Sequence, residues 1–153
     1  MDATAAVCLT TTEWQLLETR LRSAPLSVYP LARTVDDGAT HDGAFVTMFS
    51  QFQAPQHVLI TTVPDYQQHG PGAKPHAVVT VYRELAEGKG IVLARVDVVS
   101  RAVLDKSSAQ TLVLALAEMY LRDDRFGVVQ KFNEQPAAFD FDALLDFAGI
   151  SKP

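Results

Sequence analysis

The hydrophobic and polar positions of this chain follow two rhythms, and the change between them divides the sequence. Trp14, Leu17 and Leu21 recur at helical spacing, which predicts one apolar stripe facing a core while Glu18, Arg20 and Arg22 face water. Thr10-x-x-Glu13 fits a capping box, in which the hydroxyl and the carboxylate satisfy otherwise orphaned backbone amides. Leu9 and Trp14 stand at hydrophobic-staple spacing around it. A helix is therefore expected to begin at that point and to close at Pro25.

Short alternating or continuous apolar runs follow: Leu26 to Ala32, Ala44 to Phe52, Val58 to Val63, Ala77 to Tyr82 and Ile91 to Val99, bounded by Gly, Pro or Asp. They predict strands. Asp36-Asp37-Gly38 and Asp42-Gly43 read as turns, and Ala54-Pro55 as a hairpin connection, so neighbouring strands are expected to be antiparallel. In the last run Arg95 and Asp97 share one face, which should reach solvent or a partner.

The rhythm then returns to helical. Ser107-x-x-Gln110 fits a capping box ahead of Leu112, Val113, Leu114, Leu116, Met119 and Tyr120. Only Thr111, Ala115, Glu118 and Arg122 are expected to be wet, so this helix must be covered on two sides. Arg125 to Phe132 predicts a short helix with Asn133 at a left-handed end and Pro136 after the stop. Asp140 reads as the cap of a last helix, stapled by Phe139 and Leu144. Strands followed by helices predict an α+β fold: a mainly antiparallel sheet of about five strands with an N-terminal helix and C-terminal helices packed on it. Residues 1–9 read as a flexible N-terminus, 10–150 as a single domain and 151–153 as a tail.

Composition narrows the function classes. Of 153 residues 48% are hydrophobic, sufficient for one core, and no apolar run approaches the ~20 residues that cross a bilayer, which predicts a soluble protein. Thirteen Lys and Arg against eighteen Asp and Glu leave a net charge of −5, the wrong sign for neutralising phosphates, and nucleic acid is not an expected partner. A single cysteine, Cys8, forms no internal disulfide and fits a reducing compartment. The first residues carry no base before Arg20 and read neither as a signal nor as a transit peptide.

Reaction chemistry is sparse. His41, His57, His69 and His76 lack the helical i, i+4 pairing of a metal site, although His69 and His76 flank a Gly/Pro loop and can approach each other. Gly70-Pro71-Gly72-Ala73-Lys74-Pro75 and Gly88-Lys89-Gly90 lack the Ser or Thr that completes a phosphate loop, and read as turns. Asp140, Asp142 and Asp146 are accounted for by helix capping and solvent exposure rather than by a cation. No catalytic, cofactor-binding or metal-ligating residue is assigned. A binding protein is expected rather than an enzyme. The alternative is a small enzyme or ligand-binding domain using the His69–His76 loop beside Arg95 and Asp97.

Three segments in register carry a resemblance. They are Tyr82-Arg83-Glu84-Leu85-Ala86-Glu87-Gly88-Lys89-Gly90-Ile91-Val92-Leu93, then Ala109-Gln110 leading through Leu112 and Leu116 to Tyr120, then Val129-x-x-Phe132-Asn133-x-x-Pro136-x-x-Phe139-Asp140-Phe141. Together they resemble the mitochondrial ATP synthase assembly factor family, chaperones of the free catalytic beta subunit, over roughly Thr10 to Ile150. Members of that family usually carry a mitochondrial leader and further helical sequence ahead of the domain, which do not appear before Thr10.

The resemblance implies binding without turnover. It implies a monomer in the mitochondrial matrix that covers the apolar surface of the free beta subunit until the alpha subunit takes its place, with no cofactor of its own. It also implies partner-binding positions at Phe132, Asn133, Pro136, Phe139, Arg95 and Tyr120, each of which has a scaffold role to offer as well.

Overall fold

A computed structural model describes residues 4–34, 41–99 and 104–150, with the backbone alone at 33–34 and 41–44. The expected turn at Asp36-Asp37-Gly38, the tail 151–153 and the side chain of His41 lie outside the described residues. The elements run β1 (Thr4–Thr10), α1 (Thr11–Ser23), β2 (Leu26–Thr34), β3 (His41–Gln53), β4 (His57–Thr62), α2 (Val63–His69), β5 (Ala77–Tyr82), α3 (Ala86–Lys89), β6 (Ile91–Val98), α4 (Lys106–Leu121), α5 (Asp123–Glu134) and α6 (Phe141–Ala148).

The fold is α+β, as expected, with one entirely antiparallel sheet in the order β1-β6-β5-β4-β3-β2. It has six strands rather than about five. The additional one is Thr4–Thr10, expected to be a flexible terminus and found paired along β6 from Thr4↔Asp97 to Thr10↔Ile91. Its alternation explains why: Ala5 and Leu9 are buried on one face, while Ala6 and Cys8 are exposed on the other. Cys8 therefore sits in a strand, exposed. Asp42-Gly43, expected as a turn, falls inside β3.

Helix α1 starts where the sequence places it. Glu13 N–H donates to Thr10 Oγ1 at 3.0 Å and Thr10 N–H donates to Glu13 Oε1 at 2.8 Å, and Trp14, Leu17 and Leu21 are buried. Arg20, expected to face water, instead folds over α4 and α5. It donates to Tyr120 O at 2.8 Å, pairs with Asp123 at 2.6 Å and lies 4.7 Å above the Phe126 ring.

Helix α4 organises the core. It touches both edge strands, β1 and β2, as well as β6, α1 and α5, so the sheet curls around it as a half-barrel. Leu112, Met119 and Tyr120 are buried almost completely. The wet stripe through Thr111, Glu118 and Arg122 is as expected but also contains Leu114, which is exposed. The cap is Asp105, whose carboxylate accepts from Ser108 N–H at 2.7 Å, and not Ser107. An aspartate in the extended conformation two residues earlier reaches the orphan amide first.

Two further helices have no counterpart in the sequence reading. Thr62 caps α2 by accepting from Asp65 N–H, with Pro64 in the first turn, and a 3-10 turn at Gly70–Gly72 follows. Gly88-Lys89-Gly90 does form a turn: it closes α3, with Gly90 at φ +69° donating to Ala86 O. In the interior of the half-barrel an apolar cavity of about 60 Å³ lies among Leu17, Leu21, Phe52, Val81 and Leu116.

Candidate partner-binding surface

The two faces of the sheet differ in cover. The concave face packs on α1 and α4, whereas on the other face cross-strand rows of mixed character remain partly open. One row joins Cys8, Leu93 and Tyr82; the next joins Ala6, Arg95, Thr80 and His57. Arg95 and Asp97 share this face, as the sequence predicts, and pair with each other, Nη2 to Oδ1 at 2.9 Å. Leu93 and, after β5, Leu85 are large apolar side chains left exposed. Arg95 and the bare Leu93 thus stand two residues apart on β6, with Leu85 exposed just ahead of α3.

The C-terminal signature residues separate into scaffold and surface. Tyr120 is buried, its hydroxyl donating to Ala24 O at 2.6 Å, and burial pushes its phenol far above the ordinary range. A client cannot reach it. Asn133 was expected to end a helix in a left-handed conformation, yet among the described residues no non-glycine residue has positive φ, and Asn133 lies within α5. Its carboxamide accepts from Leu26 N–H at 3.0 Å and donates to Leu26 O at 2.7 Å and to Val129 O at 2.8 Å. It thereby fastens α5 to the edge of the sheet.

Phe132, Pro136 and Phe139 do come together. Pro136 opens an exposed 3-10 turn between α5 and α6. The rings of Phe132 and Phe139 meet edge to face with centroids 5.0 Å apart. Phe139 then continues to Phe141 at 6.5 Å and Phe141 to Phe45 of β3 at 6.0 Å. All four rings are only half-buried. Asp140 caps α6 as expected, accepting from Asp142 N–H, and Leu144 is fully buried, but Phe139 is left partly open instead of closing the staple completely. A row of incompletely covered aromatic rings offers what a protein interface uses: large apolar area with few rotatable bonds.

The His69–His76 loop forms an open groove of about 410 Å³ lined by Asp65, His69, Lys74 and His76. His76 Nε2 lies 2.5 Å from Asp65 Oδ2, and that hydrogen bond, with one from Thr62, holds the Asp65 carboxyl below its ordinary range. His76 Nδ1 is buried without a hydrogen-bond partner. Among the described residues Arg95 and Asp97 do not line the groove, nor does any Ser, Thr or Cys. The His76–Asp65 pair anchors the loop. Among the described residues no three His, Cys, Asp or Glu side chains are grouped to hold a metal, and no helix is long and apolar enough to cross a membrane.

Sequence reading missed Phe45 and Phe141 as members of the aromatic row, and Leu85 and Leu93 as exposed apolar groups. Alternation in the run Ile91 to Val98 already places Leu93 on the Arg95 face, which is a signal for the last of these. Nothing local announces that Phe45 meets Phe141.

Two comparisons bear on the chain. It is 28% identical over 123 residues to the mitochondrial protein atp11 of Schizosaccharomyces pombe, an overlap that covers 78% of this chain and 40% of the relative. The chain thus spans well under half of that relative's length. The sequence also matches the ATP11 protein family over residues 2–145, nearly its whole length, and by that match the chain belongs to the ATP11 family.

Proposed function

We propose that this chain is an assembly chaperone of the mitochondrial ATP synthase, holding the free beta subunit of the catalytic sector in the matrix until the alpha subunit binds. The observation that carries the reading is the family match over residues 2–145, reinforced by the three segments in register around Leu85, Leu116 and Phe139. The half-buried row Phe45–Phe141–Phe139–Phe132 supports it as a place where an apolar client surface is received. Phe132 and Phe139 of that row, with Pro136 on the turn between them, are the contacts proposed. Arg95, beside Leu93 on the open face of the sheet, is a second one. Asn133 and Tyr120 support the fold that presents them.

Covering an exposed patch removes the surface that drives aggregation, and the alpha subunit releases the client by competing for that same patch. No reaction is required of the chaperone, and no cofactor. When purified, denatured beta subunit is diluted into buffer, stoichiometric amounts of this protein are expected to suppress the rise in light scattering. Scattering that grows unchanged would reject the reading.

A further inference from the structure

The two edges of the sheet are finished differently, and the difference identifies a second place where a partner is held. In an antiparallel pair, residues alternate between those bonded to the neighbouring strand and those whose N–H and C=O point away from it. On β2, Phe52 N–H donates to Pro25 O, which places Leu26, Val28 and Pro30 in the outward-pointing set. This edge is guarded. Asn133 satisfies both backbone groups of Leu26, Pro30 has no N–H to offer, and α5 and α6 pack alongside.

On β1 the same logic gives the opposite result. Thr11 N–H donates to Gly90 O, so Leu9, Val7 and Ala5 bond to β6 while Thr10, Cys8, Ala6 and Thr4 point outward. Thr10 N–H is taken by Glu13 in the capping box. Ala6 and Cys8 are exposed, and the strand Thr-Ala-Ala-Val-Cys-Leu-Thr contains neither a charge nor a proline. Helices α1 and α4 touch this strand as well, but no charge, proline or bulge within it guards against strand addition.

We infer that the β1 edge accepts an extended, uncharged segment of the client as a seventh strand, through the backbone groups of Thr4, Ala6 and Cys8. The inference rests on the proposed role as a beta-subunit chaperone and adds where an unfolded or incompletely assembled part of that client is held. Main-chain bonding supplies affinity with little demand on sequence, and the outer row Cys8–Leu93–Tyr82 favours an apolar residue opposite Cys8. A second copy of this chain is a poorer occupant, because two molecules each carrying net −5 approach against their own charge.

Hydrogen exchange on the full chain, alone and with purified beta subunit, tests the inference. In the free protein the amides of Ala6 and Cys8 should exchange fast, and those of Ala5, Val7 and Leu9 slowly. In the complex Ala6 and Cys8 should slow by about tenfold or more. Ala6→Pro removes an outward N–H that the fold does not use and should weaken client binding about tenfold, whereas Ala6→Val, which keeps that N–H, should not. A complex that forms without protecting Ala6 and Cys8 would overturn the inference alone. Absence of any complex would overturn the chaperone reading and the inference with it. Concentration-dependent protection of the same amides without beta subunit would assign the edge to a second copy and overturn the inference.

Discussion

Leu112→Ala is expected to lower unfolding stability by about 3–5 kcal/mol, the range for a leucine truncated where the surroundings cannot collapse into the space. Leu112 has no exposed surface and sits on α4, around which both sheet edges close. Neighbours on several sides are held by other elements, so relaxation into the void is limited and the upper part of the range applies. For a chain of this length the loss corresponds to a melting point lower by about 10 °C or more. Leu114→Ala, two residues along the same helix but exposed, should change stability by about 0.5 kcal/mol. Urea unfolding of both variants checks the account. Equal losses would contradict the place assigned to α4.

Asn133→Ala should cost about 2–4 kcal/mol, a large effect for a residue that is not fully buried. The substitution removes three hydrogen bonds at once and leaves Leu26 N–H and C=O unpaired beneath α5. Asn133→Asp is the sharper variant. Its carboxylate still accepts from Leu26 N–H but sets a negative charge against the carbonyl oxygens of Leu26 and Val129. That environment disfavours the charged form and raises its pKa in the folded state. The stability deficit should therefore be full at neutral pH and shrink as pH falls through the carboxylate range, because the protonated acid regains a donor. Urea midpoints of the two variants between about pH 7 and pH 4 give the comparison. A deficit that stays constant or grows on acidification would mean that the carboxamide does not close the β2 edge.

Local signals in the sequence were sufficient for elements whose cause is local. The capping box at Thr10 and Glu13, the cap at Asp140 and the bounds Ala77–Tyr82 follow from residues within one turn or one strand of each other. Strand β1 was missed because its alternation runs directly into the capping box without a Gly, Pro or Asp to mark a boundary. Helix α2 was missed because its first residue, Val63, continues the apolar run of β4, although Thr62, Pro64 and Asp65 together form a start signal.

The partner-binding residues show the limit more clearly. Asn133 has the composition of a helix terminator, but its partner Leu26 lies 107 positions earlier, and only the closed fold brings the two together. Tyr120, a partner contact only by the resemblance, belongs to the covered side of α4 and is sealed by Ala24 and α5. Phe132 and Phe139 were placed correctly near one turn. Their partial exposure depends on how far α6 reaches over β3, and no local pattern encodes that.

The central claim is that this chain holds a free beta subunit and yields it to alpha. Size-exclusion chromatography with light-scattering mass detection, on purified beta subunit refolded with this protein, tests it most directly. The account predicts a soluble complex of one chain with one beta subunit, and return of the chain to its own elution position when alpha subunit is added. Beta subunit lost to aggregate while this chain elutes alone at its monomer mass, or a complex formed equally well with alpha, would contradict it.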